Sequence, residues 1–160
     1  MKRLLFPLLL LGLCAVGAER LKWPVEIGGM LFENMETALC DEDRTRGLMF
    51  RESLPEDGGM IFLFKKPEMH SFWMRNTRIP LDILFIDKEG RITAIHTMPV
   101  EKPQGSQESD ESYCDRLPGY SSLKPAIAAI EINAGMAATL NLKVGDKVEI
   151  FQKELSKHLK

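Results

Sequence analysis

Apolar residues fall in short runs along this chain, at spacings that favour strands over helices. The run 60–64 (Met-Ile-Phe-Leu-Phe) is unbroken, as in a strand covered on both faces, and Pro67 is expected to end it. A second run, 72–74, and a third, 81–86, follow closely. The turn signal Asp87-Lys88-Glu89-Gly90 closes the third and predicts a hairpin with 91–97. Upstream, 23–27 and 31–39 flank Gly28-Gly29, a dipeptide able to take the positive φ angles of a tight hairpin. In the second arm Leu31, Glu33, Met35, Thr37 and Leu39 share one face, an imperfect alternation that fits β better than α.

Helical signals are few. Asp41-Glu42-Asp43 opens a short helix, since acids suit the positive end of the helix dipole, and it is expected to run through Phe50. Arg44 and Arg51 would then project from one side, about two turns apart. The stretch 99–125 is polar and acidic, a connection long enough to be a mobile flap or a functional loop. Beyond it, 126–132 reads as a strand, Asn133 as the cap of a short helix reaching Leu140, and Gly145-Asp146 as a turn into a last strand, 147–151. Residues 153–160 look like a solvated polar tail. About seven or eight short strands with one or two short helices predict a mainly β chain. The expected fold is a single-domain β-sandwich or a partly closed, jelly-roll-like barrel over 19–152.

Composition narrows the class. At 160 residues, 44% apolar and 28% charged, the chain has room for one domain with a real core, and disorder is not expected. Basic residues are scattered among acids, and the formal charge is −2, so no nucleic-acid partner is expected. The first eighteen residues do not belong to the fold. Lys2 and Arg3 form a basic start, 4–16 an apolar stretch, and Val16-Gly17-Ala18 a small-residue cleavage site, which predicts a cleavable signal peptide over 1–18. Cutting after Ala18 removes two basic residues and no acid, leaving 19 against 23, or −4. The apolar stretch is shorter than the ~18 residues of a spanning helix, so no stable membrane insertion is expected once it is cut. The expected location is periplasmic or secreted.

Export gives the cysteines meaning. Cys14 leaves with the signal segment, and Cys40 and Cys114 remain as a pair that could bridge in an oxidising compartment. A buried Cys40 with a free Cys114 is the other reading.

Candidate chemistry gathers where polar residues interrupt the apolar runs. Arg75, Asn76, Thr77, Arg78 and Asp82 are wedged among residues that require burial, and buried polar groups must find partners. In one arrangement Arg44, Arg51, Asn76, Thr77, Asp82 and Glu131 line a pocket for a small anionic or polar ligand, the arginines gripping it in bidentate fashion. In the other, the same groups satisfy one another where strands diverge. Met69, His70 and Met74, near Trp73, form a set whose thioether and imidazole groups suit Cu(I), though methionines in apolar runs ordinarily fill core gaps. No metallopeptidase, nucleophile-elbow or phosphate-loop motif is present, which leaves Asp82 with His70 or His96 as the available hydrolase pair. No cofactor is expected. An outward-facing Phe72 or Trp73 beside the long loop would instead point to a protein- or glycan-binding patch.

A series of ordered motifs runs through the chain. Arg44-Thr45-Arg46-Gly47-Leu48-Met49-Phe50-Arg51 is followed by Gly59-Met60-Ile61-Phe62, Phe72-Trp73-Met74-Arg75-Asn76-Thr77 and Ile79-Pro80-Leu81-Asp82-Ile83-Leu84-Phe85-Ile86. Glu131-Ile132-Asn133-Ala134-Gly135 and Gly145-Asp146 complete it. Over about 31–151 this series resembles the family known as domain of unknown function 192, with the acidic insertion 104–112 as a departure. The resemblance implies an often exported, single-domain β protein of unassigned activity. Together these readings predict an exported binding or accessory module without catalytic function.

Overall fold

Gly28 and Gly29 take φ angles of 58° and 81°, and the chain reverses there as expected. Strand β1 (Val25–Ile27) pairs antiparallel with β2 (Met30–Phe32), with Ile27 opposite Met30. The computed structural model describes residues 20–150 and 152–159; the expected signal peptide, 1–18, lies outside the described residues. The second arm of the hairpin does not continue as one strand. It bends at Glu33 and restarts as β3 (Asn34–Ala38), which lies parallel to β4 (Gly58–Glu68).

Pro67 does not end the run that precedes it. The pairing of β4 with β9 (Ala126–Asn133) shifts register between Leu63 and Glu68, so the missing N–H of the proline falls where the ladder is already interrupted. Strand β6 (Leu81–Ile86) is buried at every position and lies between β9 and β7 (Ile92–Met98). The turn joining β6 to β7 is fixed by Asp87, whose Oδ1 accepts from the N–H groups of Glu89 and Arg91 at 3.0 and 2.8 Å. Five strands thus form one mixed sheet in the order β3-β4-β9-β6-β7. A two-stranded ribbon of β5 (Ser71–Phe72) and β8 (Tyr120–Ser121) stands apart from it.

Both faces of the five-stranded sheet are covered. On one, Ile61, Leu84 and Ile130 pack with Trp23, Val25, Ile27 and Phe32 from the β1–β2 hairpin and with Val148, Ile150 and Leu155 from the end of the chain. On the other, Met60, Phe62, Ile83 and Phe85 pack with Leu48, Met74 and Ile79, joined by Phe72 and Tyr120 of the ribbon. The fold is therefore mainly β and single-domain, as the sequence predicts, and the described residues form no closed barrel. Short helices number four among the described residues: α1 (Asp41–Arg46), α2 (Asp110–Asp115), α3 (Met136–Thr139) and α4 (Gln152–Ser156).

Three local expectations are corrected. Asn133 does not cap a helix. Its amide donates to the Pro55 carbonyl at 2.9 Å, and α3 begins after Gly135, whose φ is 87°. The stretch 147–150 makes only isolated bridges, Lys147 with Arg91 and Glu149 with Glu26, rather than a strand. The stretch expected as a solvated tail carries α4 and buries Leu155 completely, because covering one leucine is worth ~2 kcal/mol and the hairpin face has room for it.

Candidate functional site

The polar knot separates into a sealed half and an open half. Asp82 belongs to the sealed half. It is 1% exposed, its Oδ1 accepts from Thr97 Oγ1 at 2.7 Å, and its Oδ2 accepts from the Ala137 N–H at 2.9 Å. Thr97 is its cross-strand partner on β7, and Ala137 lies in the first turn of α3, so one carboxylate ties two strands to a helix start. It takes no hydrogen bond from His70 or His96. Each of those rings turns Nε2 to a backbone carbonyl instead, Ala126 at 3.2 Å and Ser121 at 2.7 Å. The hydrolase pair is not assembled.

Glu131 is also enclosed, at 4% exposure, and its side chain makes no hydrogen bond or ion pair among the described residues. Burial alone raises its carboxyl to about 8, which makes the neutral acid its form at pH 7. It stands between Met60 on β4 and Ile83 on β6. Met60 in turn stands beside Glu36 on β3. Cross-strand neighbours share a face, so Glu36, Met60 and Glu131 form a row.

Arg44 and Arg51 do not share a side. Gly47, with a φ of 48°, ends α1 at Arg46, and the helix expected to reach Phe50 stops short. Arg44 Nη1 donates to the Leu63 carbonyl at 2.9 Å and Nη2 to Asp41 at 2.6 Å, which holds the Asp41 carboxyl below its ordinary range. Arg51 Nη2 reaches both oxygens of Glu36, at 2.7 and 2.8 Å. Thr77 closes a local turn, its hydroxyl donating to the Arg75 carbonyl at 3.2 Å. The six residues expected to line one pocket are thus dispersed, and of them Asn76 alone lines the open half.

Asn76 is the hub of that open half. Its backbone is left-handed (φ 53°), its carbonyl accepts from the Phe50 N–H at 2.8 Å, and its own N–H donates to Tyr113 Oη at 3.0 Å. Phe50 is left-handed too (φ 64°), a conformation rare for an aromatic residue, and the residue is 53% exposed. The Arg78 guanidinium lies 5.7 Å from that ring's centroid and pairs with Glu52. Arg75 lies 5.8 Å from the centroid of Trp73, which is 42% exposed, and binds Asp110 through Nη2 at 2.7 and 2.6 Å.

The loop 99–125 is anchored here rather than free. Buried Tyr113 meets Asn76, Asp110 holds Arg75, and Glu108 grips Arg116, whose guanidinium lowers the Glu108 carboxyl to about 2. Between α1 and this hub lies an open cleft of about 540 Å³ lined by Asp41, Glu42, Thr45, Arg46, Met49, Phe50, Arg75 and Asn76. Among the described residues, the side chains of Glu42, Thr45, Arg46 and Asn76 make no hydrogen bond or ion pair.

The copper set does not come together. Met69 is 57% exposed, Met74 is buried in the core, and the His70 ring stacks on Phe64 at 3.5 Å, where burial lowers its pKa. Among the described residues no group of three or more His, Cys, Asp or Glu is arranged to hold a metal ion. Cys114 carries a free thiol in α2, so it is not bridged to Cys40. Phe50 and Tyr113 carry the site's geometry, yet the sequence does not single them out. Phe50 ends the run Leu48-Met49-Phe50, which reads as the apolar end of a helix rather than as an exposed ring, and the role of Tyr113 arises from a contact far along the chain.

Among curated proteins none matches this chain. Solved structures similar to it include the following two crystal structures. One, a protein of unknown function from Novosphingobium aromaticivorans DSM 12444, is 36% identical with a TM-score of 0.64, covering 79% of this chain and 83% of its own. The other comes from Sinorhizobium meliloti 1021 and is provisionally described as a transcription regulator. It is 30% identical with a TM-score of 0.59, covering 79% of this chain and 88% of its own. A family profile described as an uncharacterized ACR matches residues 25–150, a span that takes in the whole five-stranded sheet, α1, the hub and the cleft, and the chain therefore belongs to the domain of unknown function 192 family.

Proposed function

We propose that this chain is an exported, non-catalytic binding protein whose ligand is a neutral, polyhydroxylated molecule, a glycan, seated in the cleft between α1 and Arg75–Asn76. The observation that carries the reading is Phe50, an exposed aromatic ring held at the cleft in a left-handed backbone. Strain of about 1–2 kcal/mol at such a position is retained where the surroundings over-determine it, which is common at ligand clamps. An exposed ring offers a flat apolar face to the C–H groups of a sugar, and Thr45, Asn76, Glu42 and Arg46 supply donors and acceptors around it. Acids (Asp41, Glu42) and bases (Arg46, Arg75) balance along the lining, which disfavours a strongly charged ligand. Export rests on the basic start, apolar stretch and small-residue cleavage site of 1–18.

The regulator description of the Sinorhizobium protein suggests duplex DNA as a second ligand class, but the net negative charge and scattered bases of this chain supply no electrostatic footprint for it. The test is a nuclear magnetic resonance titration with a panel of neutral oligosaccharides, with duplex DNA as control. Saturable shifts at Thr45, Phe50 and Asn76 that vanish in Phe50→Ala are expected. Binding of DNA alone, or oligosaccharide binding unchanged in Phe50→Ala, overturns the reading.

A further inference from the structure

The two faces of α1 do different things. Its outer residues line the cleft, whereas Asp43 and, one turn on, Gly47 turn inward to Arg20. The Arg20 side chain is 12% exposed. Its Nε donates to Asp43 Oδ1 at 3.0 Å, while Nη1 donates to Glu36 Oε2 at 3.3 Å and to the Gly47 carbonyl at 3.1 Å and lies 4.0 Å from Met60 Sδ. Glu36 is in turn held by Arg51. The row then continues from Met60 to Glu131, a buried carboxyl with no partner among the described residues. One cationic side chain has thus been fitted with two carboxylates, a carbonyl and a thioether supplied by β3, α1, the residue after α1 and β4.

The segment that delivers this side chain lies along a sheet edge. Residues 20–23 run along the outer edge of β3: the Trp23 N–H donates to the Met35 carbonyl at 2.8 Å, Thr37 Oγ1 donates to the Leu21 carbonyl at 2.9 Å, and Lys22 bridges antiparallel to Glu36. Edge pairing of this kind is how extended peptides add to a sheet, with backbone bonds giving affinity and one side-chain pocket giving specificity. Bidentate-capable guanidinium groups suit a carboxylate-lined pocket better than a lysine does.

We propose that Glu36, Asp43 and the Gly47 carbonyl form a guanidinium-binding site, joined to the β3 edge, whose built-in occupant is Arg20 and whose ligand in trans is an arginine on an extended peptide segment. Cleavage after Ala18, as the sequence predicts, leaves the arm a free chain end able to leave that edge. The site lies on the opposite face of α1 from the cleft and does not depend on the glycan reading.

The test is chemical rescue. In the full chain, Arg20→Ala is expected to melt several degrees below the parent. Ethylguanidinium at millimolar concentration is expected to restore at least half of the lost melting temperature along a saturating curve, and to leave the parent unchanged. The acetylated tetrapeptide Arg-Leu-Lys-Trp is expected to do the same at a concentration at least tenfold lower, because it brings the missing guanidinium on a backbone that displaces the variant's own residues 20–23 from β3. Adding Glu36→Gln to Arg20→Ala is expected to abolish both responses. A linear effect equal in parent and variant, or rescue that survives Glu36→Gln, overturns the site. A peptide no better than ethylguanidinium overturns the extended-segment ligand. Should Arg20→Ala fail to fold, the same titrations on Arg20→Gln, which keeps an amide donor, decide between these outcomes.

Discussion

Phe50 and Asn76 fix one another: the N–H of the first donates to the carbonyl of the second at 2.8 Å, and both backbones are left-handed. Asparagine tolerates that conformation, whereas a β-branched residue does not. Asn76→Gly is therefore expected to stay within about 0.5 kcal/mol of the parent, whereas Asn76→Val is expected to cost about 2 kcal/mol or more. Urea denaturation of the two variants checks this.

Tyr113 connects the same hub to the acidic loop. Its hydroxyl is the acceptor for the Asn76 N–H, so Tyr113→Phe leaves a part-buried donor unmet. A loss of about 1–3 kcal/mol is expected, with faster amide exchange concentrated in 99–125. Hydrogen exchange followed by mass spectrometry would show whether the loosening stays in that loop.

Asp82 is structural by position. Replacing it with alanine leaves the buried Ala137 N–H at the start of α3 unmet and removes the acceptor of Thr97, an expected cost of about 3 kcal/mol, against about 1 kcal/mol for Thr97→Val. If the carboxylate were a binding group the protein could spare, Asp82→Ala would instead melt with the parent and fail only in ligand titrations.

Glu131 makes stability depend on pH in a direction opposite to ordinary carboxylates. Its folded value, about 8, lies above the ordinary glutamate value of 4.5, so the folded chain retains a proton that the unfolded chain releases between those limits. Its contribution is therefore fully present below about pH 4.5 and is lost as pH rises towards 8, at up to ~1.4 kcal/mol per unit. Glu131→Gln removes this titration. The stability difference, variant minus parent, is expected to rise steadily from pH 5 to pH 8 and then level off, as measured by urea titrations across that range.

Gly59 leaves no room for a side chain. A Cβ there would sit 2.1 Å from the Glu131 carbonyl oxygen, in the middle of the sheet, where neither strand can retreat. Gly59→Ala is expected to abolish cooperative folding, whereas Gly135→Ala, with nothing within 4 Å, costs only its backbone strain of about 1–2 kcal/mol. Circular dichroism melts of the pair make the comparison.

Much of the sheet was legible because periodicity is local. The run 81–86 reads as a buried strand and is one, and the Gly28-Gly29 and Asp87–Gly90 turns follow from their residues. The site was less legible because its bonds span the chain. Asp82 finds Ala137 and Thr97, and Asn76 finds Phe50 and Tyr113, pairings that no spacing rule encodes. Arg44 and Arg51 mislead for a local reason: heptad spacing places them together only in a continuous helix, and Gly47 interrupts it. Pro67 misleads because a breaker in isolation becomes tolerable where the ladder shifts register.

The parallel alignment of β3 with β4 has a consequence for engineering. Antiparallel neighbours can be joined by a two-residue turn, but parallel ones require the chain to travel back the full length of a strand before re-entering the sheet. Residues 39–57, which hold α1, Gly47 and Phe50, are that return path. Shortening them to a tight connection would forbid the β3–β4 alignment itself, so the segment that contributes to both candidate binding surfaces cannot be deleted as an ornament of the fold; it can only be redesigned at the length it has.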